Sequence, residues 1–338
     1  MTEETKKTIG VIGAGAWGTA LAQIFAANGQ DVLIQAREPE TVGAINTAHE
    51  NTVFLPGIPL DQRLKATGSA EEAAARDILL MVTPAQHFRT ALEQLSAAGA
   101  LKKDKPVVIC SKGIELKTGL LLSQVAEEIA PGLPVAVLTG PTFAHEIARG
   151  LPGAVTIGVA DTAQGESLQN VLGTRYFRPY ISDDLTGVQL GGALKNVIAI
   201  ACGIAHGLAL GESARAALLT RGLAEITRLT VAMGGRAETL LGLSGIGDLT
   251  LTASSMQSRN FSLGAALGAG KTIEEILGPR RAVTEGVHTA AATVALAAKY
   301  GTDMPIAHAI NQCLNADLPV KDALEALLSR PFKQELSV

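Results

Sequence analysis

"TIGVIGAGAWGTALAQIFAANGQDVLIQA", Thr8 to Ala36, decides the fold of this 338-residue chain. Its first five residues are an apolar run suited to a buried strand. "WGTALAQIFAANG" (17–29) has helical spacing and stops at Gly29, and "DVLIQA" (31–36) reads as the next strand. Between strand and helix, Gly13, Gly15 and Gly18 form G-x-G-x-x-G. That pattern is weak alone, but here it has the required context: it follows a strand and opens a helix. Gly13 permits the tight turn, Gly15 lets the backbone approach a pyrophosphate, and Gly18 lets helix and strand pack closely. The helix N-terminus then offers N–H donors and a positive dipole end to phosphates. The plainer alternative is a glycine-rich turn with no ligand.

The alternation continues outward. "DILLMVT" (77–83), "PVVIC" (106–110), "PVAVLTG" (134–140) and "GAVTIGV" (153–159) are strand-like, with helical patterns between most of them. Apolar strands alternating with helices mean a parallel sheet covered on both faces. After about residue 185 the strand signal stops. Leu219, Leu223, Ile226, Thr230 and Met233 step by helical spacing toward Gly234-Gly235, and 286–301 and 320–329 read the same way. The expected fold is therefore α/β: an N-terminal Rossmann-like, doubly wound, mainly parallel sheet over 1–185, then a C-terminal all-α domain over 186–338.

Composition agrees and excludes other classes. The chain is 47% hydrophobic but only 3% aromatic, which suits close-packed helices and α/β layers. A net charge of −4 without a long basic block argues against nucleic acid. Cys110, Cys202 and Cys313 are odd in number and far apart, so neither a disulfide framework nor a zinc site is expected, and a reducing cytosol fits. The polar start "MTEETKK" lacks the form of a signal peptide. The best membrane candidate, "GVQLGGALKNVIAIACGIAHGLALG" (187–211), is interrupted by Lys, Asn and His and has no aromatic or basic anchors.

That stretch carries one charge, Lys195. A buried ammonium needs a partner, a route to water or a job. Other stretches stand out as well. "CSKGIE" puts Lys112 after a strand, and "GPTFAHEIARG" (140–150) follows another with a Gly-Pro turn. In open α/β sheets ligands bind at that edge. "SGIGDLTLTASS" (244–255) carries Asp248, and "QSRNFSLG" (257–264) holds Arg259 and Asn260. Taken singly, Lys112 could be a solvated lysine, Asp248 a helix cap and Arg259-Asn260 an exposed turn. His145-Glu146 lacks the second histidine of a metal helix, so no metal is expected, and His206 reads as a satisfied core residue. Arg37 stands where an acid would bind a ribose 2′-hydroxyl; an arginine there can pair with a 2′-phosphate, or lie solvated on the surface.

Together "GAGAWGTALA", "SKGIE", "GPTFAHEIARGLP", "GGALKNVIAIACGIAHGL", "TRGLAEI", "GIGDLTLT", "SRN" and "VTEGV" resemble the bacterial NAD(P)-dependent glycerol-3-phosphate dehydrogenases, in order, from about Thr8 to about Leu328. The resemblance implies reversible reduction of dihydroxyacetone phosphate to sn-glycerol 3-phosphate in the cytoplasm, for glycerophospholipid synthesis. The cofactor would be NADPH/NADP or NADH/NAD. It also implies a helical domain like the C-terminal part of 6-phosphogluconate dehydrogenase. Lys195 would be the catalytic lysine, with Asp248 and Lys112 beside it. Lys112, Gly140, Thr142, Lys195, Asp248, Ser258, Arg259 and Asn260 would meet substrate. Gly13, Gly15, Ala16, Trp17, Gly18, Arg37, Lys112, Ala144, Arg259, Val283 and Glu285 would meet cofactor.

Two departures matter. Ala16 stands where the family usually has serine, and Phe261-Ser262-Leu263 replaces residues that are usually basic. A small-molecule substrate and no nucleic-acid or membrane-spanning role are expected, and a homodimer is an open assembly. Two rivals remain: a related two-domain hydroxyacid or ketopantoate dehydrogenase, and a non-catalytic NAD(P)H-sensing module.

Overall fold

The computed structural model describes residues 7–278, 284–332 and 334–335. The chain forms two compact units. One comprises Met1–Ser111, Leu122–Leu138 and Thr142–Asp183; the other comprises Lys112–Leu121, Thr139–Pro141 and Asp184–Val338. The division is not a single cut near 185. Two short stretches of the first half belong with the helical unit, and they carry Lys112 and Gly140.

Among the described residues, eight strands make one sheet: β1 (Ile9–Ile12), β2 (Val32–Gln35), β3 (Lys65–Thr67), β4 (Ile78–Met81), β5 (Val107–Ile109), β6 (Val135–Thr139), β7 (Gly153–Val159) and β8 (Phe177–Ser182), in the order β3-β2-β1-β4-β5-β6-β7-β8. The first six follow the order expected of a doubly wound dinucleotide fold. β1 pairs in parallel with β2 (Ile9 to Val32) and with β4 (Ile9 to Ile78). The pairs β2–β3, β4–β5, β5–β6 and β7–β8 are parallel too. β1 and β4 are buried at every position, as strands covered on both faces must be. Strand order reverses at β1, so the turn after β1 lies at the switch point where such sheets bind ligands.

Two strands escape the sequence reading. β3 is three residues long and begins with an exposed lysine, so it has almost no hydrophobic signal. β8, "FRPYIS", contains Pro179 and closes the sheet at its edge. Proline removes a ladder donor and is tolerated there because an edge strand has one unpaired side.

The helical unit is built around one helix, Leu185–Gly207, in which every residue from Gly187 to Ala205 is buried. Its first turn is fixed by Asp184, whose carboxylate accepts from the Gly187 N–H (2.8 Å), the Arg236 N–H (2.8 Å) and the Thr239 hydroxyl (2.6 Å). A helix apolar all round belongs in a core or a membrane. Buried along that whole length inside the protein, this one is the core helix of its unit. It packs against the helices Glu212–Ala232, Asp248–Ala253, Arg259–Gly268 and Glu285–Lys299. One sequence reading and one of its plainer alternatives do not hold here. His206 is exposed near the helix C-terminus, its ring 5.5 Å from that of Phe261, and is not a core histidine. Arg259-Asn260 is no turn: Ser258 caps the helix that these residues start, accepting from the Phe261 N–H.

Candidate active site

In the sheet unit, Gly13 turns the chain at φ 107°, a conformation L side chains rarely adopt. Gly15 is the N-cap of the helix Ala16–Ala27, and no side chain caps that end nor does an acid occupy its first turn. Its leading N–H groups and dipole are left for an anion. A β-carbon on Gly15 would meet nothing within 4 Å, whereas one on Gly18 would lie 1.9 Å from the Gly13 carbonyl oxygen. The turn is therefore open above Gly15 and closed beneath Gly18, as a pyrophosphate cradle requires. The buried indole N–H of Trp17, in the same first turn, has no hydrogen-bond partner. These residues fit a dinucleotide. Ala16 supplies no hydroxyl, so its N–H alone is left for that role. Arg37 follows β2 with its side chain 89% exposed and holds Glu38 at 2.9 Å. Thr142 and Ala144, the latter opening the short helix Ala144–Ala148, lie in this unit as well.

Sequence reasoning missed Asn51. It is buried, and its amide donates to the Ala14 carbonyl (2.9 Å) and the Thr19 hydroxyl (2.8 Å), bracing the glycine turn from a distant loop. No local pattern marks it.

In the helical unit the structure brings Lys112, Gly140, Lys195 and Asp248 together. Asp248, fully buried, starts the helix Asp248–Ala253. Its Oδ1 accepts from the Lys195 ammonium, and its Oδ2 accepts from Lys112 at 2.7 Å. Lys112 also donates to the Gly140 carbonyl at 3.3 Å. Lys195 is only 5% exposed and has a second partner, the Thr252 hydroxyl at 2.7 Å. Thr252 was not singled out in the sequence. Its spacing of four from Asp248 on one helix is the signal that could have found it.

The electrostatics follow from this packing. Burial drives the Lys195 amine down to about 7; Asp248 opposes the fall and Lys112 adds to it. Burial pushes the Asp248 carboxyl up, but the two ammonium groups outweigh it and hold the carboxyl below its ordinary value. The cluster is thus an ionised aspartate between two lysines, one of which is poised to release a proton near neutrality.

The Ser258–Asn260 group joins the lysine's helix by another route. Asn260 donates to Asn196 Oδ1 (2.9 Å), the neighbour of Lys195, and accepts from the Gly286 N–H (3.1 Å) at the start of Glu285–Lys299. Asn260 is 8% exposed, whereas Arg259 is exposed. Glu285 opens the Glu285–Lys299 helix, and Val283 lies outside the described residues. Among the described residues no three His, Cys, Asp or Glu side chains gather as a metal-binding group.

A glycine turn at the switch point of a parallel sheet, followed along the chain by a helical unit with a buried lysine–aspartate pair, places the molecule among the two-domain nicotinamide-dependent dehydrogenases. Comparison narrows the class. The family model for the NAD-dependent glycerol-3-phosphate dehydrogenase N-terminus matches residues 8–164, and that for the C-terminus matches 184–325. A glycerol-3-phosphate dehydrogenase [NAD(P)+] of Parvibaculum lavamentivorans is 58% identical over 97% of this chain and 98% of its own. That of Rhodospirillum rubrum is 56% identical over 97% and 93%. The solved structure of glycerol-3-phosphate dehydrogenase from Coxiella burnetii aligns with a TM-score of 0.92 at 36% identity, covering 96% of this chain and 99% of that one. The chain belongs to the NAD-dependent glycerol-3-phosphate dehydrogenase family.

Proposed function

We propose that the protein reversibly reduces dihydroxyacetone phosphate to sn-glycerol 3-phosphate with NADPH or NADH. The observation that carries this reading is the buried Lys195 amine, held to Asp248 and titrating near 7 in a chain of this family. In this reading 1–185 binds the dinucleotide, and 186–338 with Lys112 and Gly140 does the chemistry.

Nicotinamide, when bound, supplies or takes up the hydride. Gly13, Gly15, Ala16, Trp17 and Gly18 form the phosphate cradle. Arg37 would pair with a 2′-phosphate by exchanging Glu38 for it, and Lys112, Ala144, Arg259, Val283 and Glu285 complete the cofactor set. Lys195, as an ammonium, donates to the ketone oxygen and gives it a proton as the alcohol forms; as an amine it removes the hydroxyl proton in the reverse direction. Asp248 holds that amine in place and opposes the fall that burial imposes on its pKa, so that ammonium and amine are both available near neutrality. Arg259, at the start of a helix that Ser258 caps, grips the substrate phosphate bidentately; Gly140, Thr142 and Asn260 are the other residues assigned to substrate in this reading. Fixing the remote phosphate holds the carbonyl in reacting geometry.

The product suits glycerophospholipid synthesis in the cytoplasm, and we infer a soluble enzyme acting on a small molecule. One spectrophotometric assay tests the activity. Loss of reduced-nicotinamide absorbance should require dihydroxyacetone phosphate and should fail with the non-phosphorylated ketone. Turnover of a carboxylate ketone instead, or none with either, would overturn the assignment.

A further inference from the structure

Asp248 divides its two oxygens. Oδ1 serves Lys195, with the Thr252 hydroxyl 3.4 Å away, while Oδ2 serves Lys112 and a further donor, the Thr139 hydroxyl, at 3.4 Å. Thr139 is the last residue of β6 and is 2% exposed. It belongs to the short stretch Thr139–Pro141 that joins the helical unit, and Gly140, whose carbonyl holds Lys112, follows it directly.

The space for that hydroxyl is set by one residue of the central helix. A β-carbon on Gly192 would lie 2.5 Å from Thr139 Oγ1 and 3.2 Å from Thr139 Cβ. Gly192 precedes Lys195 by three positions, so the two share a helix face. Any side chain at 192 would press the threonine away on the same face that presents the amine. The glycine of "GGALK" thus opens a slot beside the lysine, and Thr139 fills it.

We propose that Thr139 is a positioning residue of the reaction: seated in the slot left by Gly192, its hydroxyl pins the Oδ2 side of Asp248, so that Oδ1 meets the Lys195 amine in one fixed orientation. The proposal rests on the dehydrogenase reading above and adds to it a residue outside the set assigned to substrate or cofactor. Thr139 touches neither the ketone nor the nicotinamide. It acts through Asp248.

The test compares Thr139→Val, which keeps the shape and removes the donor, with Thr139→Ser, which keeps the donor. Thr139→Val should lower kcat for dihydroxyacetone phosphate about five- to tenfold, the size expected for one positioning hydrogen bond. KM for NADPH and the thermal midpoint should stay near wild type. Thr139→Ser should recover kcat to within about twofold, and Gly192→Ala should reproduce the Thr139→Val loss by displacing the hydroxyl. Near-normal kcat in Thr139→Val, or an equal loss in Thr139→Ser, would overturn the proposal. An inactive wild type would sink the dehydrogenase reading alone. The Thr139 assignment would then be decided by the Lys195 side-chain resonance in [15N]lysine-labelled protein. That resonance should move in Thr139→Val and return in Thr139→Ser; an unmoved resonance counts against it.

Discussion

A lysine in an aliphatic helix is costly unless its charge is answered. Lys195 is answered once, by a carboxylate that a second lysine shares, so the cluster keeps one net positive charge in a buried place. Burial is the largest influence and wins over the aspartate, which is why the amine titrates near 7 rather than near its ordinary value. An acid–base group works best when its pKa lies near the working pH. The direction of the rate follows. Ketone reduction needs the ammonium, so its kcat/KM should be level below about pH 7 and fall toward tenfold per unit above it. Alcohol oxidation needs the amine, and its kcat/KM should rise through the same midpoint. Profiles flat across neutrality in both directions would remove Lys195 as the proton carrier. Lys195→Met should cost about 10²–10⁴ in kcat while NADPH still quenches Trp17 fluorescence. Asp248→Asn goes further, because it leaves two ammonium groups facing each other without a counter-charge. It should destabilise the fold by about 3–5 kcal/mol in urea titrations. It should also move any remaining Lys195 midpoint to lower pH, since the aspartate is what raises it.

At the scale of elements, the helix Arg259–Gly268 crosses the central helix with almost no space between backbones. A β-carbon on Gly264 would fall 2.0 Å from the Ile200 carbonyl oxygen, and one on Gly203 would fall 2.1 Å from that of Phe261. Both neighbours are main chain, so neither can yield by changing rotamer. Arg259 and Asn260 ride on the first turn of that helix, and Asn260 ties it to Asn196 beside the lysine. Gly264→Val should therefore push the helix outward, lower stability by about 1–3 kcal/mol or more, and raise KM for dihydroxyacetone phosphate more than KM for NADPH. Equal changes in the two constants would detach the crossing from substrate binding. The crossing also shows what a sequence reader can and cannot see. The glycines at 203, 207, 264 and 268 are visible as two pairs spaced by four, but which helix meets which is a fact of packing. β1, β2, β4, β5, β6 and β7 were legible because each is a short apolar run between breakers. β3 and β8 were not, because an edge strand can carry Lys65 or Pro179 without penalty and so loses the signature of burial.

For the whole molecule, the individual parts of the site could be named from motifs, whereas their joining could not. Lys112, Lys195 and Asp248 come from three separate stretches, and no spacing in the sequence says that one carboxylate serves both lysines. Thr139 and Asn51 carry no motif, and Thr252 closes "GIGDLTLT" without standing out in it, since a buried hydroxyl or amide gains its meaning only from the group it faces. The same holds for Glu225, which no site reading uses. It sits at 2% exposure on the helix Glu212–Ala232 and accepts the N–H groups of Ile306 (2.7 Å) and Ala307 (3.1 Å) in the first turn of Pro305–Asn315. Burial raises its carboxyl from 4.5 to about 7, and these two hydrogen bonds only partly offset that rise. The folded chain therefore keeps a proton that the unfolded chain has lost between pH 4.5 and about 7. Stability should fall as pH rises through that window, by up to about 3 kcal/mol, and level off above it. The catalytic pair acts elsewhere: Asp248 below its ordinary 3.8, and Lys195 above about 7, where its lowered value makes stability rise with pH. The interval between is left to Glu225. Urea unfolding of wild type and Glu225→Gln at pH 5 and pH 7 separates this effect from a general acid response. Wild type should lose stability between the two, and the variant, having no proton to release, should lose about 2–3 kcal/mol less. A parallel loss in both proteins would assign the slope to other groups and leave Glu225 a plain helix cap.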